Sequence, residues 1–159
     1  MSPATTSHPP ELQVSEWLNT PEPLSLAALR GQVVVVHAFQ MLCPGCVSHG
    51  LPQAKRLTQV FAGRELAVLG LHTVFEHHAV MTAAALRVFL HEYRIGFPVG
   101  IDMPGESGPM PRTMQAYAMG GTPTLLVFDR QGRLQLNQLG QVDDMALGAL
   151  LGELLAQPA

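Results

Sequence analysis

The stretch Val33–Gly50, "VVVVHAFQMLCPGCVSHG", decides how this chain is read. It opens as an unbroken β-branched run, the pattern of a strand covered on both faces inside an α/β sheet. It closes on the only two cysteines of the chain, Cys43 and Cys46, separated by Pro44 and Gly45. Pro44 suits the first turn of a helix, where its missing N–H costs nothing, and a helix is predicted from about Pro44 to Phe61. The cysteines therefore stand where a buried strand gives way to a helix. Unpaired N–H groups and the helix dipole there favour a thiolate. This makes Cys43 the expected nucleophile. Cys46, one turn on and more buried, is placed to close a disulfide or resolve a mixed one.

Two other chemistries use cysteines and histidines at such spacings. A metal site would join Cys43 and Cys46 to some of the seven histidines. A peroxidase would need Pro-x-x-x-Thr/Ser-x-x-Cys. With Cys43 as the reactive cysteine, Val36 stands at the proline place and Gln40 at the Thr/Ser place, so the cradle for a peroxide is missing.

Around this stretch the chain alternates. "LQVSEWLNT" reads as a short strand docking on the body, and "PLSLAALRGQ" as a helical turn capped by Ser25 and ended by Gly31. "ELAVLGLHTV" is a second buried strand. "TAAALRVFLHEYRIG" is an amphipathic helix with Leu86, Phe89, Leu90 and Tyr93 near one face, ending at Gly96. "FPVGID" is a short strand, and "MPGESGPMP" a Gly/Pro-rich loop. "RTMQAYAM" is a short helix and "TPTLLVFDRQGRLQLNQLG" a hairpin turning at "DRQG". "DDMALGALLGELLAQ" is the closing helix. This order predicts an α/β fold, a central mixed sheet with helices on both faces. Residues 1–23 are expected as an N-terminal extension, disordered over about the first ten residues, and 24–157 as the domain.

The 159 residues suit one domain with its own core, and 13% charged residues with a net charge of −3 offer no basic face for nucleic acid. No apolar run reaches the roughly 20 residues that span a bilayer, and "MSPATTSHPPELQ" lacks the pattern of a secretory signal. These features lead to an expectation of a cytoplasmic protein without membrane contact, periplasmic if a signal has been removed. Two close cysteines in a reducing compartment are expected to be catalytic, redox-sensing or metal-binding rather than a disulfide framework.

"LSLAALRGQVVVVHAF", the CPGC helix start, "HEYRIGFPVGID" and "MQAYAMGGTPTLLVFDRQGRL" come in an order that resembles the thioredoxin superfamily, and within it the TlpA/ResA-like thiol-disulfide oxidoreductases grouped with AhpC/TSA-type redoxins. The resemblance runs from about Leu24 to Ala156. It implies a thioredoxin-like fold and a redox-active Cys43–Cys46 pair. It implies a cis peptide at Thr122-Pro123 opposite the cysteines, where a substrate chain is held; the residues alone leave that proline open between cis and an ordinary trans start to a strand. It implies a protein or small-molecule disulfide as substrate and an upstream thiol reductant or oxidant, with no nucleotide, flavin or metal cofactor, in a monomer or weak dimer.

The departures are specific. Leu42 and Phe39 stand where relatives carry tryptophan; the one tryptophan is Trp17. His37 occupies the place of a buried acid that serves the second cysteine. It is read either as a proton acceptor or as a core histidine bonded to backbone. Glu76, after the second strand, and His49, one turn beyond Cys46, are further proton-relay candidates. Pro52 falls six residues after Cys46 rather than five, and a π-bulge near Gly50 would absorb the extra residue.

Overall fold

A computed structural model describes residues 8–159. The expected disorder falls mostly on 1–7, outside the described residues. Pro10 is held: its carbonyl accepts the Tyr117 hydroxyl at 2.5 Å.

Among the described residues six strands make one sheet: β1 (Val14–Leu18), β2 (Val33–Phe39), β3 (Leu66–His72), β4 (Val99–Asp102), β5 (Thr124–Phe128) and β6 (Leu134–Leu139). Their order across the sheet is β1-β4-β3-β2-β5-β6. β2, β3 and β4 run parallel, as the long connections between them require. β5 lies antiparallel to β2, β6 to β5, and β1 to β4. This is the expected mixed sheet, flanked by antiparallel strands on both sides.

Among the described residues the α-helices are α1 (Leu51–Val60), α2 (Ala83–Glu92), α3 (Arg112–Ala116) and α4 (Asp144–Ala156). Successive residues of a strand point to opposite faces, and β2 serves two cores accordingly. Val33, Val35 and Phe39 pack with Leu51, Leu86 and Leu151 of α1, α2 and α4. Val34, Val36 and Ala38 pack with Met114 of α3, Leu26 and Leu12 on the other face. Every residue of β2 is buried, which is why the sequence there is continuous rather than alternating.

Local signals account for most boundaries. The Thr82 hydroxyl accepts from the Ala85 N–H and starts α2; the Asp143 carboxylate does the same for Ala146 at the head of α4. α2 stops at Glu92, short of the predicted Gly96, because Arg94 turns to φ +55°. Ser25 accepts from the Ala28 N–H, as predicted. The helix beginning at Pro44 departs from α geometry over Cys46–Gly50, a π-helical turn. There the Leu51 N–H donates to the Cys46 carbonyl, five residues back. The ladder thus widens one step before Pro52, which has no N–H to give, and the extra residue expected from the Pro52 spacing is taken up.

Candidate active site

The site is built from three chain segments at one end of β2. The strand leaves the sheet at Phe39, passes through Gln40, Met41 and Leu42, and delivers Cys43 to the head of the helix. The Cys43 N–H donates to the Gln40 carbonyl at 3.1 Å, and the Val47 N–H donates to the Cys43 carbonyl at 3.1 Å, so both flanks of the cysteine are pinned by backbone. His72 of β3 accepts from the Met41 N–H at 3.2 Å and fixes the loop from beneath. Leu42 stands out into solvent beside Cys43 and is 57% exposed.

Cys43 is half-buried and Cys46 fully buried. Their sulfurs lie 2.6 Å apart. The Cys46 amide donates to the Cys43 sulfur at 3.3 Å, across the first turn of the helix. Burial pushes the Cys46 thiol up to about 12; the neighbouring Cys43 thiol adds to this, while the Gln40 backbone and the Thr122 hydroxyl act in the opposite sense. The two cysteines thus differ in position, Cys43 the more accessible and Cys46 the hidden one.

The Thr122-Pro123 peptide is cis. Pro123 faces the cysteine turn: a Cβ at Gly45 would sit 3.4 Å from its Cδ. The Cys43 thiol points at the Thr122 carbonyl, 3.5 Å away. Cys43, Cys46, Thr122 and Pro123 are therefore one cluster, drawn together from residues about 80 positions apart in sequence.

The three relay candidates are placed differently. His37 lies on β2, on the face toward α1, 2% exposed, with neither ring nitrogen hydrogen-bonded to the protein. The backbone partner expected for a core histidine is not there. Its ring edge lies against Gly50, so close that a Cβ there would fall 2.1 Å from Nε2. One side of His37 lines a cavity of about 140 Å³ shared with His49, Gln53 and Pro123. Burial pulls His37 down to about 4. In the resting dithiol, moving a proton from Cys46 to His37 thus runs uphill at both ends. His49 is exposed, its Nδ1 near the Ser48 carbonyl. Glu76 is exposed on the β3–α2 loop and forms no hydrogen bond to either cysteine.

The residue that sequence reading passed over is Gln40, noticed only for failing a peroxidase motif. It is 1% exposed and joins the three segments of the site. Its carbonyl oxygen accepts from the Phe75 N–H at 3.1 Å, and its amide nitrogen donates to the Thr122 hydroxyl at 3.4 Å. A polar residue at the buried end of an apolar strand was the available signal. Among the described residues no three His, Cys, Asp or Glu side chains converge as a metal site.

A strand-to-helix cysteine pair facing a cis-proline, on this sheet order, defines a thioredoxin-like protein with the architecture of a thiol-disulfide oxidoreductase. The chain belongs to the AhpC/TSA family, whose model matches residues 8–137. It is similar to the crystal structure of a thioredoxin-like superfamily protein, at 55% identity over 96% of this chain and 98% of that one with a TM-score of 0.93. It is similar also to a thiol-disulfide isomerase from Corynebacterium glutamicum, at 53% identity over 93% and 96% of the two chains with a TM-score of 0.89. NHL repeat-containing protein 2 of Bos taurus is 28% identical over 79% of this chain, which spans only 16% of that protein.

Proposed function

We propose that the protein is a dithiol/disulfide oxidoreductase in which Cys43 attacks and Cys46 resolves. In the reductive direction the Cys43 thiolate attacks a substrate S–S bond. A mixed disulfide forms, and one substrate sulfur leaves as a thiol after taking a proton. Cys46 then loses its proton and attacks the Cys43 sulfur. The Cys43–substrate bond breaks, the Cys43–Cys46 bond forms, and the substrate departs as a dithiol carrying the two electrons the pair has given up. An upstream thiol reductant returns those electrons; the same steps in reverse exchange or form disulfides. Thr122 and Pro123 hold the incoming chain next to Cys43.

The observation that carries this reading is the asymmetric pair itself, one sulfur half-exposed under the Cys46 amide and the other buried behind it. The 53% identity to a protein described as a thiol-disulfide isomerase supports it. Because burial opposes charge on both Cys46 and His37, the Cys46 proton goes to water or to the departing substrate sulfur, and His37 serves chiefly to shape the helix turn.

The test is a redox titration of the pair followed by mass spectrometry, with Cys46→Ser used to trap partners. A reversible loss of two hydrogens in the native chain, and adducts on Cys43 in the variant, are expected. A pair that never closes in oxidant, with no adduct trapped, would overturn the proposal.

A further inference from the structure

We propose that His72 is a positioning residue for the nucleophile: its Nε2 accepts the Met41 N–H and thereby sets the turn that presents Cys43 to a substrate disulfide. This rests on Cys43 being the attacking thiol.

β2 ends at Phe39, and Gln40 to Cys43 turn the chain toward the helix. The turn is closed by the Cys43 N–H on the Gln40 carbonyl at 3.1 Å. A turn of this kind bonds its first residue to its fourth and supplies no partner for the N–H of its second. That N–H belongs to Met41, which is 8% exposed and packs in the core with Phe39 and Leu51. A buried backbone donor needs an acceptor, and this one finds His72 Nε2 at 3.2 Å.

His72 is held from outside the turn. It is the last residue of β3, in register with Phe39 of β2 and Ile101 of β4. Its ring is 2% exposed and packs against the Phe39 ring at a centroid distance of 5.2 Å. The Thr73 N–H donates to the Phe39 carbonyl at 3.0 Å and ties the two strand ends together. The sheet, rather than the turn, therefore fixes where the acceptor stands. An N–H can only donate, so Nε2 carries the lone pair and the ring proton sits on Nδ1. Burial pulls His72 down to about 4, which keeps the ring neutral and the acceptor in place at neutral pH.

Without that acceptor the Met41 N–H has to tilt toward water, and the Cys43 end of the turn moves with it. The Cys43 sulfur would then leave its place 3.5 Å from the Thr122 carbonyl. The step served is the first one written above. The Cys43 thiolate bonds to one substrate sulfur, the substrate S–S bond breaks, and the other sulfur leaves with the electron pair and takes a proton. Its rate depends on where the attacking sulfur is held. One net hydrogen bond favours the held turn over a displaced one by about twofold to tenfold.

The reduced protein is mixed with 5,5′-dithiobis(2-nitrobenzoate) in stopped flow, where the first thionitrobenzoate released reports attack by Cys43. His72→Leu, which has no acceptor, is expected to slow that release by about twofold to tenfold. His72→Gln places an amide oxygen near the Nε2 position and should recover most of the rate. Both variants lose the ring that packs on Phe39, so urea unfolding should show both weakened, while attack separates them. Equal rates in the two variants, whether slow or unchanged, would overturn the inference. A second measurement needs no substitution: a long-range proton–nitrogen NMR spectrum of the native chain at neutral pH should show His72 protonated at Nδ1 and bare at Nε2. The opposite tautomer, or a doubly protonated ring, would overturn the inference as well. A first release that survives Cys43→Ser unchanged would instead overturn Cys43 as the attacking thiol.

Discussion

Gly50→Ala tests the fit between the π-helical turn and the strand beneath it. Gly50 has helical dihedrals, φ −66° and ψ −51°. On backbone grounds alone alanine there should stabilise the protein by about 1 kcal/mol. Against this, the added Cβ would lie 2.1 Å from His37 Nε2 and 2.2 Å from Cε1. The ring is buried and stacks with Phe39 at a centroid distance of 6.2 Å, so it yields only by swinging toward the adjoining cavity. Overpacking of this kind costs about 1–3 kcal/mol. The clash therefore cancels or exceeds the helical gain, and the net effect is a loss of up to about 2 kcal/mol. The decisive quantity is the coupling. In a His37→Ala background the obstacle is gone, and Gly50→Ala should become stabilising by about 1 kcal/mol. Urea unfolding of the four proteins under reducing conditions measures this; the coupling should equal the overpacking term. A Gly50→Ala protein stabilised to the same extent in both backgrounds would refute the argument that His37 requires glycine at this position.

Acid should weaken the fold through two buried histidines. Burial holds His37 and His72 down to about 4, so the unfolded chain takes up their protons first, and stability is lost as pH falls from about 6.5 toward 4. The loss is on the order of 3 kcal/mol for each, and His37→Leu should flatten the slope of a denaturation-midpoint-against-pH plot by its share; an unchanged slope would refute the assignment. Asp102→Ala should cost about 3 kcal/mol or more by urea unfolding, because the Thr113 and Met114 N–H groups and the Thr73 hydroxyl all donate to that buried carboxylate and would be left unpaired. Leu42→Ser should slow attack on an apolar disulfide substrate severalfold while leaving the unfolding midpoint within about 0.5 kcal/mol, since the side chain is 57% exposed and holds nothing in place.

Sequence carried the fold because its signals were local and agreed with one another. A four-valine run, a CPGC at its end, a hairpin with "DRQG" and a proline one residue late each specified a nearby structure, down to the π-helical turn. What it could not carry was pairing between distant segments. That β1 closes the sheet beside β4 follows from Val14 and Trp17 packing over Gly100, whose missing side chain leaves the room. No periodicity within "VSEWL" announces it. In the site, the cysteines were legible from spacing, whereas Gln40 was not: its role exists only because Phe75 and Thr122 arrive from elsewhere. His37 stood out as a departure, but its lack of any polar partner, and hence its reluctance to take a proton, depends on packing against a glycine thirteen residues on.

The sheet order also determines what light reports from this protein. Trp17, the only indole, sits on β1, three strands from β2 and on the order of 14 Å across the sheet from it. At that remove a disulfide between Cys43 and Cys46 cannot touch and quench the indole. Half-exposed at the edge, the indole meets Gly100 on β4 and is freed when that edge opens. Emission from this chain is thus a gauge of folding that is blind to oxidation. The stabilities of the dithiol and the disulfide forms, whose difference sets the reduction potential, can be compared with one unlabelled probe.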